Sequence, residues 1–176
     1  MVFHRDGLTV SLSGALRHGD GVHVETIASR PLTDGTFWLV EWFTALRQGK
    51  PRYASAAQIG VFGKAGSSAL AADLIEAGVP KSAVVVATSD NAITAATMLR
   101  EAVVRGTVSH LVDPDVLDAS VAASREHRSV TSGGWVFVPK TKDDDSTPVE
   151  SASLAHWLAK TTKRRPGRKS VGRVLR

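Results

Sequence analysis

Two runs near the N-terminus constrain the fold more than anything else in the chain. Residues 8–16, LTVSLSGAL, and residues 22–29, VHVETIAS, alternate apolar with small polar side chains, and HGDG at 18–21 lies between them. A period of two sends successive side chains to opposite faces of a strand, and a short turn-forming linker folds two such strands into a β-hairpin. A hairpin with one apolar face needs a cover, and the rest of the chain supplies segments that alternate between helical and strand-like patterns.

TDGT (33–36) leads into FWLVEWFTALRQ, whose broad apolar face of Trp38, Leu39, Trp42, Phe43 and Leu46 predicts a helix. PRYASAAQIGVF (51–62) reads as a buried strand. SSALAADLIEAGV (67–79) reads as a helix stopped by Gly78, with Pro80 just beyond. SAVVVAT (82–88) is a β-branched strand, SDNAITAATMLREAVVRG (89–106) a helix closed by Gly106, and TVSHLV (107–112) a short strand. DPDVLDASVAASREH (113–127) opens with acids and ends in basic residues, matching a helix dipole. SVTSGGWVFVPK (129–140) reads as a hairpin or kinked strand bent at Gly133 and Gly134. With a final helix after residue 147, the order is ββαβαβα(β)αβα, an α/β chain with a mixed sheet and helices against its faces.

The length of 176 residues suits one domain, and an apolar fraction of 43% argues against general disorder. The chain has no cysteine, which excludes disulfides and thiolate zinc sites. It has no apolar run long enough for a membrane span and no signal-peptide pattern, so the expectation is a soluble intracellular protein. The net charge of +5 is unevenly placed: KTTKRRPGRKSVGRVLR (160–176) is rich in Lys and Arg and holds no acid. Such a block reads either as an arm for phosphate backbones or as a solubilising tail.

Several chemistries fail on spacing. GVFGKAG (60–66) is not a phosphate loop, because Gln58 stands where glycine is required and Ala65 where Ser or Thr would hold magnesium. A strand-to-helix turn using Gly63 and Gly66 explains it better. The six histidines include no H-E-x-x-H pattern, and no G-x-S-x-G elbow is present.

One cluster remains open to two readings. In KDDDSTPVESASLAHWLAK (142–160), three consecutive aspartates precede an apolar helix. Thr147, Pro148 and Glu150 together predict an N-cap, a first-turn proline and a capping box. Asp143, Asp144 and Asp145 are not needed for that cap. They read either as a solvated loop or as oxygen ligands for magnesium or manganese, with a carboxylate kept ionised by the positive helix end.

HRDGLTVSLSGA, GKAGSSALAADLIEAGVPK, AVVRGTVSHLVDPDVLDASVAAS and DDSTPVESASLAHWLAKTTKRRPGR, in that order, resemble the C-terminal nuclease domain of tailed-phage terminase large subunits. The resemblance spans nearly the whole chain. It implies an RNase H-like (RuvC-like) mixed sheet flanked by helices over 1–161, followed by a flexible basic tail at 162–176. It also implies metal-dependent endonucleolytic cleavage of double-stranded DNA, with Mg or Mn held by converging carboxylates.

By resemblance, Asp145 is the catalytic and metal-binding acid that opens the last helix. Asp118 matches a helix position that would support the site or the fold, Thr147 and Glu150 are expected to support it through the cap, and Lys163, Arg164, Arg165, Arg168 and Lys169 of the basic block are the expected nucleic-acid contacts. Two departures bear on activity. The family's first acid lies on a first strand, and here only Met1, Val2 and Phe3 precede His4, with Asp6 falling beyond the strand. The family's second acid sits in an I-D-G-K turn, and here the turn reads V-F-G-K with Phe62 in its place. The implied partners are double-stranded DNA, a terminase ATPase domain, the small terminase subunit or the portal, in the cytoplasm of a bacterial host and with no membrane. The chain reads as a truncated or degenerate domain, such as a prophage remnant. A non-catalytic DNA- or motor-binding module is the alternative reading.

Overall fold

The computed structural model describes residues 1–64, 66–111, 116–128 and 133–166. Strands β1 (Val2–Phe3), β2 (Thr9–His18) and β3 (Gly21–Pro31) form an antiparallel meander. The predicted hairpin is therefore present and longer than expected. The first strand has two residues within the sequence, Val2 and Phe3.

Helix α1 (Phe37–Thr44) stops earlier than the predicted run to Gln48. A small hairpin follows, β4 (Leu46–Arg47) and β5 (Lys50–Pro51), with Gln48 at φ 54 and Gly49 at φ 76 between them. Two consecutive left-handed residues make the tight hairpin turn that a helix cannot pass through. The predicted strand over 51–62 shrinks to β6 (Ile59–Val61), because a 3-10 turn at Arg52–Ser55 occupies its first part. Next come α2 (Ser67–Glu76), β7 (Val84–Val86), α3 (Ser89–Val104) and β8 (Val108–Ser109).

The predicted helix at 113–127 needs correction. Residues 113–115 lie outside the described residues, α4 covers Leu117–Ala123, and Ser124–Arg128 is strand β9. Strand β9 pairs antiparallel with β10 (Trp135–Pro139), from Ser124↔Pro139 to Arg128↔Trp135. The basic residues that resembled a helix end instead lie along an exposed strand, whose partner is the apolar run WVFVP. The final helix is α5 (Thr147–Thr161).

Strands β6 and β7 are parallel, as are β3 and β8, and a parallel bridge between Val2 and Phe62 joins β1 to β6. The bridge is bonded in both directions, Phe3 N to Phe62 O at 2.9 Å and Phe62 N to Met1 O at 3.1 Å. The continuous order is β8-β3-β2-β1-β6-β7, an antiparallel meander extended by parallel strands. This is the expected mixed sheet with helices on both faces.

Alternation along the strands decides which helix covers which face. Phe3, Val10 and Leu12 pack with Leu39 and Phe43 of α1 and with Leu70 and Leu74 of α2. On the other face, Val2 packs with Ala87 and with Leu154 of α5, beside Phe62 and Trp157. Gly60 lets α5 lie this close, since a Cβ there would meet Leu158 Cδ1 at 2.5 Å. Thr9 and Ser11 of β2 face the start of α5, and that meeting point is where the site forms. Among the described residues, no helix is long and apolar enough to cross a membrane.

Candidate functional site

Asp145 lies half-buried two residues ahead of α5 and is held from two directions. Its Oδ1 accepts from Thr147 N at 2.8 Å and from Thr147 Oγ1 at 2.7 Å. Its Oδ2 accepts from Thr9 Oγ1 at 3.0 Å. The network continues into the sheet. Ser11 Oγ lies 2.6 Å from Thr147 Oγ1 and 2.8 Å from Ser29 Oγ, and Ser151 Oγ donates to Ser11 O at 3.1 Å. Each hydroxyl can donate one proton and accept others, so a chain of them ending on a carboxylate has a consistent direction.

The predicted capping box is not what forms. Thr147 is the first helical residue, and Ser146 occupies the cap position without a side-chain cap bond. Asp145 supplies the acceptor for the helix's first N–H instead. Glu150 accepts from Ser146 Oγ at 2.5 Å. The sequence pattern located the helix start to within a residue but assigned the acceptor role to the wrong side chain. An aspartate two residues before an orphan N–H does the same work as a threonine cap.

Glu150 is half-buried beside a cavity of about 10 Å³ lined by Val2, Phe62, Ala92, Phe137 and Leu154. Its carboxyl is pushed up to about 7, first by burial, and then by the negative charge of Asp145. The Ser146 hydrogen bond and the Arg5 cation act in the opposite direction. Phe62 at the end of β6 is part of the apolar wall responsible. The cavity is barely the size of one water, too small for a magnesium ion that keeps its own hydration waters.

Ser120 of α4, which the sequence did not single out, ties this corner together. Its Oγ donates to Asp145 O at 2.9 Å and accepts from Val149 N at 3.2 Å. Its neighbour Asp118 points elsewhere: its side chain is 54% exposed and pairs with His110 Nε2 at 3.7 Å. Asp144 accepts from Thr141 N and Thr141 Oγ1, both at 2.9 Å, closing its own loop, while Asp143 is exposed. The three aspartates therefore do not converge. Among the described residues, no group of three or more His, Asp or Glu side chains could hold a metal ion.

The described basic residues, Lys163, Arg164 and Arg165, lie at the other end of α5. At about 1.5 Å per residue, the fifteen-residue helix sets them roughly 20 Å from Asp145. Arg164 is committed there, with Nη1 donating to Ala56 O at 2.9 Å and Ala57 O at 2.8 Å. Lys163 and Arg165 are exposed. Arg168 and Lys169 lie outside the described residues. The structure thus brings Asp145, Thr147 and Glu150 together, and leaves Asp118 and the described basic residues Lys163, Arg164 and Arg165 apart from them.

The implied metals fit this corner poorly. Two-metal hydrolysis needs several ionised carboxylates with lone pairs turned to the ions. Asp145 already faces three donors, burial makes Glu150 hold its proton more tightly than usual, and neither Val2 and Phe3 nor Phe62 is an acid.

No family model and no curated protein matches the chain. Two solved structures are similar to it, the large terminase nuclease from thermophilic phage G20c with bound magnesium and the same nuclease with bound cobalt. In each case the TM-score is 0.49 and the identity 16%, over 88% of this chain and 82% of the other.

Proposed function

We propose that this chain is a nuclease-type domain of a phage DNA-packaging terminase large subunit, in which the RNase H-like scaffold holds duplex DNA within the packaging motor and does not cut it. The ordered motifs and the strand order β8-β3-β2-β1-β6-β7 support the parentage. One observation carries the loss of cutting: Asp145 accepts three hydrogen bonds from Thr9 and Thr147, and the acid nearest to it in the last helix is Glu150, pushed up to about 7. Among the described residues no further acid converges on Asp145 to bring a pair of divalent ions together, and such a pair is what would supply the electrostatic stabilisation of a phosphodiester transition state.

Binding would fall to the basic segment from Lys163 onward, with Lys163, Arg165, Arg168 and Lys169 as phosphate contacts. Arg164 braces the segment against the loop at Ala56 and Ala57. The motor partners of such a module would be the terminase ATPase domain, the small subunit or the portal, inside a bacterial host and, for a degenerate copy, a prophage.

A plasmid-nicking assay in manganese, run beside duplex-DNA binding at increasing salt, tests the reading. The expected result is no nicking above background by either the wild type or Asp145→Asn. Binding should weaken steeply with salt and be lost on deletion of 163–176. The cutting reading is favoured by the position of Asp145 at the mouth of α5. It would prevail if the wild type nicked DNA and Asp145→Asn did not.

A further inference from the structure

Strand β8 brings a hydroxyl to an imidazole that is itself held by a carboxylate. His23 and Glu25 are two residues apart on β3 and so share one face of the sheet, and Ser109 of β8 is paired with His23 in the parallel β3/β8 register. Ser109 Oγ lies 3.1 Å from His23 Nδ1, and His23 Nε2 lies 2.8 Å from Glu25 Oε1. The same Glu25 oxygen accepts from Leu111 N at 2.6 Å, which fixes the carboxylate in place. An ionised carboxylate can only accept. The proton of a neutral His23 is therefore on Nε2, and the lone pair of Nδ1 is turned to the serine hydroxyl. This is the order of a nucleophile, a general base and a group that orients the base, with the two ring nitrogens exchanged relative to the usual arrangement. Such constellations are recognised by geometry rather than by spacing, and here 86 residues separate the serine from the histidine. A reagent can reach all three: Ser109 is exposed, and the side chains of His23 and Glu25 are 32% and 31% exposed. Thr9, which donates to Asp145, pairs with Pro31, eight residues along β3 from His23 and roughly 25 Å away at about 3.3 Å per residue. The cluster is thus separate from the corner at the start of α5.

We propose that Ser109 is a nucleophile activated by His23, and that this site takes short acyl groups from small carboxylic esters. Ser109 Oγ bonds to the ester carbonyl carbon while its proton passes to His23 Nδ1, and the carbonyl electron pair moves onto oxygen. When the tetrahedral adduct collapses, the bond to the alcohol oxygen breaks and the alcohol leaves with the proton that His23 held. Water then attacks the acyl-serine with His23 again as base, releasing the carboxylic acid and restoring the hydroxyl. Glu25 touches neither ester nor serine. It is a positioning residue that holds the tautomer and stabilises the imidazolium. The face is open, so solvent hydrates the developing oxyanion, and only a short acyl group sits there without exposing a long apolar chain to water. The acceleration over a free serine is then that of general-base catalysis, about 10²–10⁴-fold. The inference does not depend on whether the chain binds or cuts DNA.

A fluorophosphonate probe incubated with the full chain, followed by peptide mass spectrometry, tests the nucleophile. Ser109 Oγ displaces fluoride at phosphorus and leaves a stable phosphonyl-serine. The expected adduct is on Ser109 and is lost in Ser109→Ala. His23→Gln should slow its formation by about a hundredfold and Glu25→Gln by about tenfold. Ser68→Ala, at an exposed serine of α2, should label like the wild type. Hydrolysis of 4-nitrophenyl acetate should fall in the same order across the variants. Long-range proton–nitrogen NMR reads the tautomer: neutral His23 carries its proton on Nε2 in the wild type and loses that bias in Glu25→Gln, a change that a role in stability alone would not produce. Circular dichroism verifies that each variant is folded. The proposal is overturned if Ser109 takes no label, if His23→Gln labels at the wild-type rate, or if the tautomer of His23 is the same with and without the Glu25 carboxylate.

Discussion

The two ends of α5 differ in how they treat charge. At the start, Asp145 is surrounded by donors from β2 and from α5 itself, and Ser11, Ser29, Ser120 and Ser151 link the corner into one network. At the finish, Lys163 and Arg165 stand in solvent. The first end reads as structure, because its polar groups are mutually satisfied and their removal leaves orphans. The second reads as surface, because its exposed charges have no described partner. The resemblance read from the sequence would place metal chemistry at the first end, and there the described polar groups bond to one another.

The largest expected effect tests whether Asp145 is structural. Asp145→Ala would strip the acceptor from Thr147 N, Thr147 Oγ1 and Thr9 Oγ1 and leave the start of α5 uncapped. The stability loss in urea denaturation should be about 3 kcal/mol, the sum expected for buried donors left unpaired and a lost cap. An acid kept for catalysis at the expense of stability predicts the opposite sign, a variant as stable as the wild type or more so.

Glu150 gives the next effect, through pH. Its folded value of about 7 lies above the ordinary 4.5, so the folded state holds the proton more tightly. Its contribution is present below pH 4.5 and is lost as pH rises to about 7. Glu150→Gln should remove this dependence and gain about 2–3 kcal/mol at pH 8 relative to pH 4. An unchanged profile in thermal denaturation would mean that Glu150 is solvated, and that Phe62 does not shield it.

Much of this was readable in the sequence, for physical reasons that can be named. The hairpin and the β-branched strand at 84–86 follow from side-chain periodicity, and α5 from its first-turn proline and following apolar run. The sheet order is a sum of long-range pairings and entered only through resemblance. The helix misread over 113–127 shows the limit of charge patterns: the basic residues after Ala123 suit a helix end and an exposed strand equally, and only the partner strand at Trp135–Pro139 decides. The hydroxyl network had a signal that went unread. Thr9, Ser11 and Ser13 recur at period two on one face of β2, and Thr147 and Ser151 recur one helical turn apart on α5. Two small polar stripes that must meet in a buried interface imply hydrogen bonding between them.

A smaller effect separates two neighbours on α4. Ser120→Ala deletes a donor to Asp145 O and an acceptor for Val149 N in a buried position, and should cost about 1–2 kcal/mol. Asp118→Asn removes only an exposed pair with His110 and should cost less than about 0.5 kcal/mol. Equal losses in the two variants would move the support of the corner from the serine to the aspartate that the resemblance favours.

The smallest effect lies at the finish of α5. Lys163→Ser with Arg165→Ser removes two exposed cations that no described side chain pairs with, so stability should change by no more than about 0.5 kcal/mol. Thermal denaturation of the double variant therefore measures the contrast between the ends directly. A drop of several degrees would mean that these residues are bound into the fold like Arg164, whose guanidinium anchors the segment to Ala56 and Ala57. In that case the finish of α5 would be structural as well. A flat stability would separate surface charge from folding at this end, a separation that Asp145→Ala is not expected to allow at the other.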